Sequence, residues 1–151
     1  MAKTIKNPAK KRAWDEFSRW VRVKGCIDTT GIPFCGICIT CDVKYFISYL
    51  DAGHCFAGRS NAGLFHEKLV NIQCRRCNQI LNGRLKEYRK VMENKYGKEQ
   101  VLKWEAEVKK IKNNRDMDFE NIRSLYCEKT KELLRPFGYS NYEDMIRGRD
   151  G

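Results

Sequence analysis

The sequence predicts an α+β fold, mostly helical, with a metal-stapled ββα centre between an N-terminal helix and a C-terminal helical region. Three observations predict it. Two C-x-x-C couplets, Cys38-Ile39-Thr40-Cys41 and Cys74-Arg75-Arg76-Cys77, stand 32 residues apart. A run rich in aromatic and β-branched residues, Lys44-Tyr45-Phe46-Ile47-Ser48-Tyr49-Leu50, lies between them and reads as a strand. Apolar residues then recur at helical spacing through the rest of the chain.

The elements follow in order. Residues 1–12 are basic, with Lys10-Lys11-Arg12, and read as an arm. Trp14, Phe17, Trp20 and Val21 share one face of a helix over residues 13–24. Gly25 and Asp28-Thr29-Thr30-Gly31-Ile32-Pro33 read as loop. After the aromatic strand, Asp51-Ala52-Gly53 reads as a turn and His54-Cys55-Phe56-Ala57 as a returning strand. Residues 58–63 form a loop holding Arg59 and Asn61. A short helix over 75–81 begins inside the second couplet. Arg84 to Tyr96 is a helix stopped by Gly97. Val101, Trp104, Val108 and Ile111 mark the next, and Asn113-Asn114-Arg115-Asp116 breaks it. Phe119, Ile122, Tyr126, Thr130 and Leu133 mark a third, ending before Pro136 and Gly138. Ser140 caps a short final helix. These stripes serve a core or a dimer interface.

At 151 residues the chain suits one domain that buries about 70% of its extended surface. It divides into the basic arm 1–12, a core over 13–97 and a helical region over 98–151 for DNA binding or dimerisation. Lys and Arg number 30 against 19 acids, for a net charge of +11. So basic a chain meets a polyanion, with nucleic acid ahead of a membrane surface. No apolar run reaches membrane-spanning length, and the basic start does not read as a signal peptide. Eight cysteines in such a chain fit a reducing cytoplasm and metal ligation better than disulfides.

The couplets can hold one tetrahedral zinc. Four thiolates close the coordination shell and leave no place for water, so the zinc is structural. Binding supplies roughly 10–16 kcal/mol of apparent folding energy. Cys35-x-x-Cys38-x-x-Cys41 permits two choices of first couplet, and Cys38 with Cys41 adjoins the strands. Cys35 is then a spare, and Cys26, Cys55 and Cys127 are ordinary thiols.

The order couplet, hairpin, histidine, loop, couplet, helix resembles the ββα-metal (HNH) nuclease motif. That resemblance makes His54 the general base, Asn71 its orienting partner and Asn78 a ligand of the catalytic metal. A neutral imidazole suits the first role, since its unperturbed pKa is about 6.5. Asn78 offers an amide oxygen, which favours Mg²⁺ or Mn²⁺. Many HNH sites carry an aspartate directly before the histidine, where this chain has Gly53. Asp51 is therefore expected as the second ligand, with His66 and Glu67 as competitors.

Cys38-Ile39-Thr40-Cys41, Asp51-Ala52-Gly53-His54, Asn71-x-x-Cys74-x-x-Cys77-Asn78 and Gly83…Tyr88-Arg89 resemble the phage NinG/Rap recombination nuclease family. Its pattern selects Cys38, Cys41, Cys74 and Cys77 as zinc ligands. The couplets are also similar to those of phage endonuclease VII. The resemblance implies a metal-dependent endonuclease selective for branched DNA, such as Holliday junctions and displacement loops, in the cytoplasm of a bacterial host. Arg59, Arg75, Arg76, Arg84, Lys86 and Arg89 are the expected DNA contacts, reading backbone and shape. Symmetric cutting of a junction needs two sites, hence a homodimer. A zinc-containing DNA-binding module without catalysis and a sequence-specific HNH endonuclease are the alternatives. Branch-specific cutting distinguishes the first reading from both.

Overall fold

The computed structural model describes residues 5–56, 61–110 and 117–150. It is mostly helical, with two small antiparallel sheets. Helix α1, Pro8–Thr30, starts earlier and ends later than its apolar stripe predicts. Asn7 caps it, accepting from the backbone N–H of Ala9 and Lys10, and Pro8 fits the first turn, where its missing N–H costs nothing. Residues 8–12 are thus helix rather than arm. Gly25 lies inside the helix, not in a loop. A Cβ there would stand 2.6 Å from Ile72 Cγ2, so the glycine admits the sheet against the helix. Gly31 ends the helix in the left-handed conformation (φ 81°).

Strands β1, Cys35–Ile37, and β2, Lys44–Phe46, form the first sheet. A 3-10 turn, Ile47–Tyr49, follows. Strand β3 is Leu50–His54, and its partner is β4, Val70–Cys74. This corrects the expected hairpin. The aromatic run is split by the 3-10 turn, because Ile47 turns inward and is fully buried there. Asp51-Ala52-Gly53 is strand, and Cys55 and Phe56 only bend instead of starting a returning strand; Ala57 lies outside the described residues. The pairing partner comes from beyond the loop. Helix α2, Asn61–Leu64, occupies part of that loop, and Arg59 lies outside the described residues. A short π-helical turn, Arg76–Ile80, follows β4 where the sequence predicts a helix.

Helices α3, Leu85–Tyr96, and α4, Lys98–Lys110, flank Gly97 as predicted. Helix α5, Phe119–Leu134, is capped by Asp118. The expected break at 113–116 lies outside the described residues. Helix α6, Tyr142–Asp150, is capped by Asn141, whose oxygen accepts from Asp144 N at 2.8 Å. Ser140, the expected cap, instead donates its N–H to the Asp144 carboxylate.

The main core lies between α1, α5 and the sheets. Phe17 meets Tyr126 edge-on at 4.8 Å between ring centroids, and Trp20 meets it at 5.2 Å. Each such buried aromatic contributes about 1.5–3 kcal/mol. The stripe of α5 is therefore committed to α1, so the helical region completes the core. A second cluster joins Cys55, Leu69, Tyr88, Met92, Val101 and Val108. Sheet β3–β4 is covered on both faces. Leu50, Ala52 and His54 share the α1 face with Val70 and Ile72. Asp51, Gly53, Asn71 and Gln73 share the other, toward the π-helical turn and α3. Among the described residues no helix is long and apolar enough to cross a membrane.

Candidate functional site

The four cysteines of the couplets converge. Their sulfurs lie within 4.8 Å of one another, and Cys41 Sγ is 3.9 Å from Cys74 Sγ. Zn–S bonds of about 2.3 Å place tetrahedral sulfurs about 3.8 Å apart, so the donor set and its size fit zinc. Backbone geometry builds the cluster. Asp42 N donates to Cys38 O, closing the first couplet's turn with Asp42 at φ 59°. Cys77 N points at Cys74 Sγ. Ile39 N donates to Ile72 O at 3.0 Å and ties the first couplet to β4. Cys35 is buried elsewhere, beside Cys26, whose thiol is pushed up to about 12 by burial and then by the Cys35 sulfur.

The sulfurs are electrostatically poised. Burial opposes ionisation of Cys38, but hydrogen bonds from Thr40 and the backbone outweigh it and bring the thiol down to about 6. Burial, aided by the neighbouring sulfurs, pushes Cys41 up to about 12. Burial also raises Cys74. Cys38 thus gives up its proton more readily than Cys41 and Cys74 do. A divalent cation replaces those protons.

On the outer face of β3, Asp51 and Asn78 come together. Asn78 Nδ2 donates to Asp51 Oδ2 at 3.0 Å, and Gln79 Nε2 donates to the same oxygen at 2.7 Å. Arg75 Nε lies 3.9 Å from Oδ1, while Arg75 Nη2 donates to Ser48 O. Gln79 was not foreseen; its place directly behind Asn78 in one helical turn is the signal that carries it. Amide oxygen and nitrogen are assigned from such networks, so a turned Asn78 amide gives Asp51 and Asn78 two oxygens for a hard cation.

His54 stands apart from that pair. It is three residues from Asp51, about 10 Å along a strand, and on the opposite face. Its ring stacks on Trp14 at 5.1 Å, and its Nε2 is buried. Asn71 does not orient it. The Asn71 amide donates to Tyr88 Oη and Lys68 O, both at 3.0 Å. Tyr88 is fully buried and donates to Gly53 O at 2.8 Å, so Asn71 and Tyr88 tie α3 to the sheet.

The glycine before His54 has a local cause. A Cβ on Gly53 would lie 2.0 Å from Gln73 Oε1. Gln73 is fully buried, with Nε2 held by Gly83 O at 2.9 Å and Thr40 Oγ1 at 3.1 Å. The side chain of Gln73 fills the place that a carboxylate at position 53 would enter.

The competing ligands serve other ends. His66 Nδ1 accepts from Lys68 N and Leu69 N, and burial lowers its pKa. Glu67 accepts from Tyr126 Oη at 2.8 Å and pairs with Lys129, joining the loop to α5. Burial opposes the Glu67 carboxylate, yet these bonds hold its pKa down.

The expected DNA contacts separate likewise. Arg75, Arg76 and Lys86 are exposed. Arg84 lies against Cys77 and 3.8 Å from Glu87. With Arg76 it lines a groove over the cysteine cluster. Arg89 grips Glu105 with two bonds, at 2.9 and 3.3 Å, and fastens α3 to α4.

Fold and site define a basic α+β protein with a four-cysteine cluster able to hold a metal ion. The family model described as Bacteriophage Lambda NinG protein matches residues 6–135, and the chain belongs to that family. Membership suggests a phage recombination-related role. No curated protein and no solved structure matches the chain.

Proposed function

We propose that this protein is a metal-dependent endonuclease that cleaves branched DNA recombination intermediates, with Holliday junctions and displacement loops as substrates. The observation that carries the reading is the Asp51–Asn78 pair, 3.0 Å apart where a strand pair meets the helical turn pinned by Cys74 and Cys77. Oxygens of this pair would hold Mg²⁺ or Mn²⁺, which supplies charge stabilisation at a phosphodiester. Arg75 stands beside the pair to meet a phosphate oxygen, a contact that charge assistance strengthens. The family resemblance, and not the position of His54 on the opposite face of β3, gives His54 the attacking water; a zinc-filled cysteine cluster would hold the strands and turn together. Two chains on one junction would cut it symmetrically.

A DNA-binding zinc module without catalysis is the second reading. The separation of His54 from Asp51, and its stacking on Trp14, favour it.

One experiment decides. A four-way junction, a displacement loop and a linear duplex, end-labelled and of one sequence, are incubated with Mg²⁺ or Mn²⁺ at low salt. Cuts near the branch that vanish in Asp51→Asn and His54→Ala establish the nuclease. Cuts that survive His54→Ala remove the imidazole from the reaction. Tight junction binding without cuts establishes the binding module.

A further inference from the structure

Two aromatic rings stand among the exposed apolar residues close to the Asp51–Asn78 site in sequence. Phe46 and Tyr49 remain 51% and 56% exposed. Phe46 leads into the 3-10 turn with extended backbone, and Tyr49 ends the turn three residues later. Ile47, between them, is fully buried and anchors the turn. The carbonyl of Ser48 accepts from Arg75 at 2.9 Å, and Arg75 reaches on toward Asp51. One guanidinium thus joins the turn that carries Tyr49 to the Asp51–Asn78 site. Tyr49 ends the turn that leads into β3 and is only two residues from Asp51. Lys44 is exposed and alternates onto the same side of β2 as Phe46.

We propose that Phe46 and Tyr49 form a stacking ledge for an unpaired nucleobase of the DNA strand whose phosphate reaches Asp51 and Asn78. The proposal rests on the nuclease reading for the identity of that neighbouring site. Exposed aromatic rings beside cations suit single-stranded nucleic acid, because every base has a face to stack and every linkage a charge to meet. A protein surface of acidic or apolar character explains the arginine and lysine or the rings, but not their interleaving. Fully paired duplex keeps its bases stacked on one another and offers nothing to the ledge. The ledge thereby selects DNA with an open base, which a branch point provides.

The test uses the full chain with zinc, in Ca²⁺, where binding is read without turnover. One oligonucleotide set places 2-aminopurine in a short single-stranded gap, and a second set is fully paired. The expected result is quenching of 2-aminopurine on binding, and gap affinity about 5- to 150-fold weaker in Tyr49→Ala and Phe46→Ala. Affinity for the paired set should not change. Tyr49→Leu keeps an apolar side chain without a π face, so it should bind the gap as poorly as Tyr49→Ala, while Tyr49→Phe binds normally. Equal losses on both sets, no quenching, or full affinity in Tyr49→Leu overturns the ledge. Cleavage by the same proteins separates the two readings. Quenching without cuts in Mg²⁺ or Mn²⁺ leaves the ledge standing and removes the nuclease. Branch cuts that Tyr49→Leu makes as well as wild type remove the ledge and leave the nuclease.

Discussion

Gly53→Ala adds one methyl group where the structure has no room. The new Cβ would stand 2.0 Å from Gln73 Oε1, 2.8 Å from its Cδ and 3.1 Å from its Cγ. Gln73 cannot swing into solvent, because it is fully buried. It must leave Gly83 O and Thr40 Oγ1, or the β3–β4 pair must part. Overpacking costs about 1–3 kcal/mol. A buried carbonyl left without its donor costs about 1–3 kcal/mol more. The sum, about 2–6 kcal/mol, is a large part of a typical stability of about 5–15 kcal/mol. At about 2–4 °C per kcal/mol for a chain of this size, the midpoint should fall by at least about 4 °C. The assay is thermal unfolding by circular dichroism with zinc in excess. Shortening the obstacle tests the cause, so Gly53→Ala with Gln73→Ala should cost less than the two single changes added together. A midpoint within about 1 °C of wild type in Gly53→Ala, or simple additivity in the double variant, refutes the reasoning.

Removing the metal with a chelator, or changing any of Cys38, Cys41, Cys74 or Cys77 to Ser, should unfold the centre, since about 10–16 kcal/mol of binding energy is lost; Cys35→Ser should keep full zinc content by colorimetric assay. His66 binds a proton less readily in the folded protein than in the unfolded chain, where the group titrates near its ordinary value of 6.5. Stability should therefore be complete above that value and decline as pH falls through it, and denaturant titrations of His66→Gln should lose this part of the decline. Arg76→Ala should flatten the slope of log affinity against log salt by about one, as expected for one phosphate contact. Arg89→Ala should leave that slope unchanged and lower the midpoint instead, because Arg89 is engaged by Glu105.

Much of the helical framework was legible because helices announce themselves over many residues. The span of α3 with its stop at Gly97, and the stripes of α4 and α5, were read in place. Helix α1 was cut short because Gly25 resembles punctuation, and only the nearness of Ile72 explains it. The strands were misread for a related reason. An apolar run tells of burial but not of its partner, and the partner of β3 comes from beyond a long loop. Spacing offered two choices of first couplet, and nearness to the strands together with the family pattern selected the four cysteines that cluster. Asp51 and Asn78, singled out together by their chemistry, lie within a hydrogen bond of each other. The placing of Asn71 against Tyr88 was not legible, since it depends on which face of β4 each residue takes. Gln73 gave no signal at all, because a buried glutamine looks like any surface one until its neighbours are known.

The pairing of α1 with α5 sets a timetable for synthesis. Phe17 and Trp20 leave the ribosome early, and Tyr126, which covers them, more than 100 residues later. At about 5–20 residues per second, the aromatic stripe of the nascent chain waits about 5–20 s for its cover. Chains cut short before α5 carry the cysteine couplets, and with them Asp51 and Asn78, yet keep that stripe bare. Proteases and chaperones can therefore tell an unfinished chain from a finished one by the N-terminal helix alone.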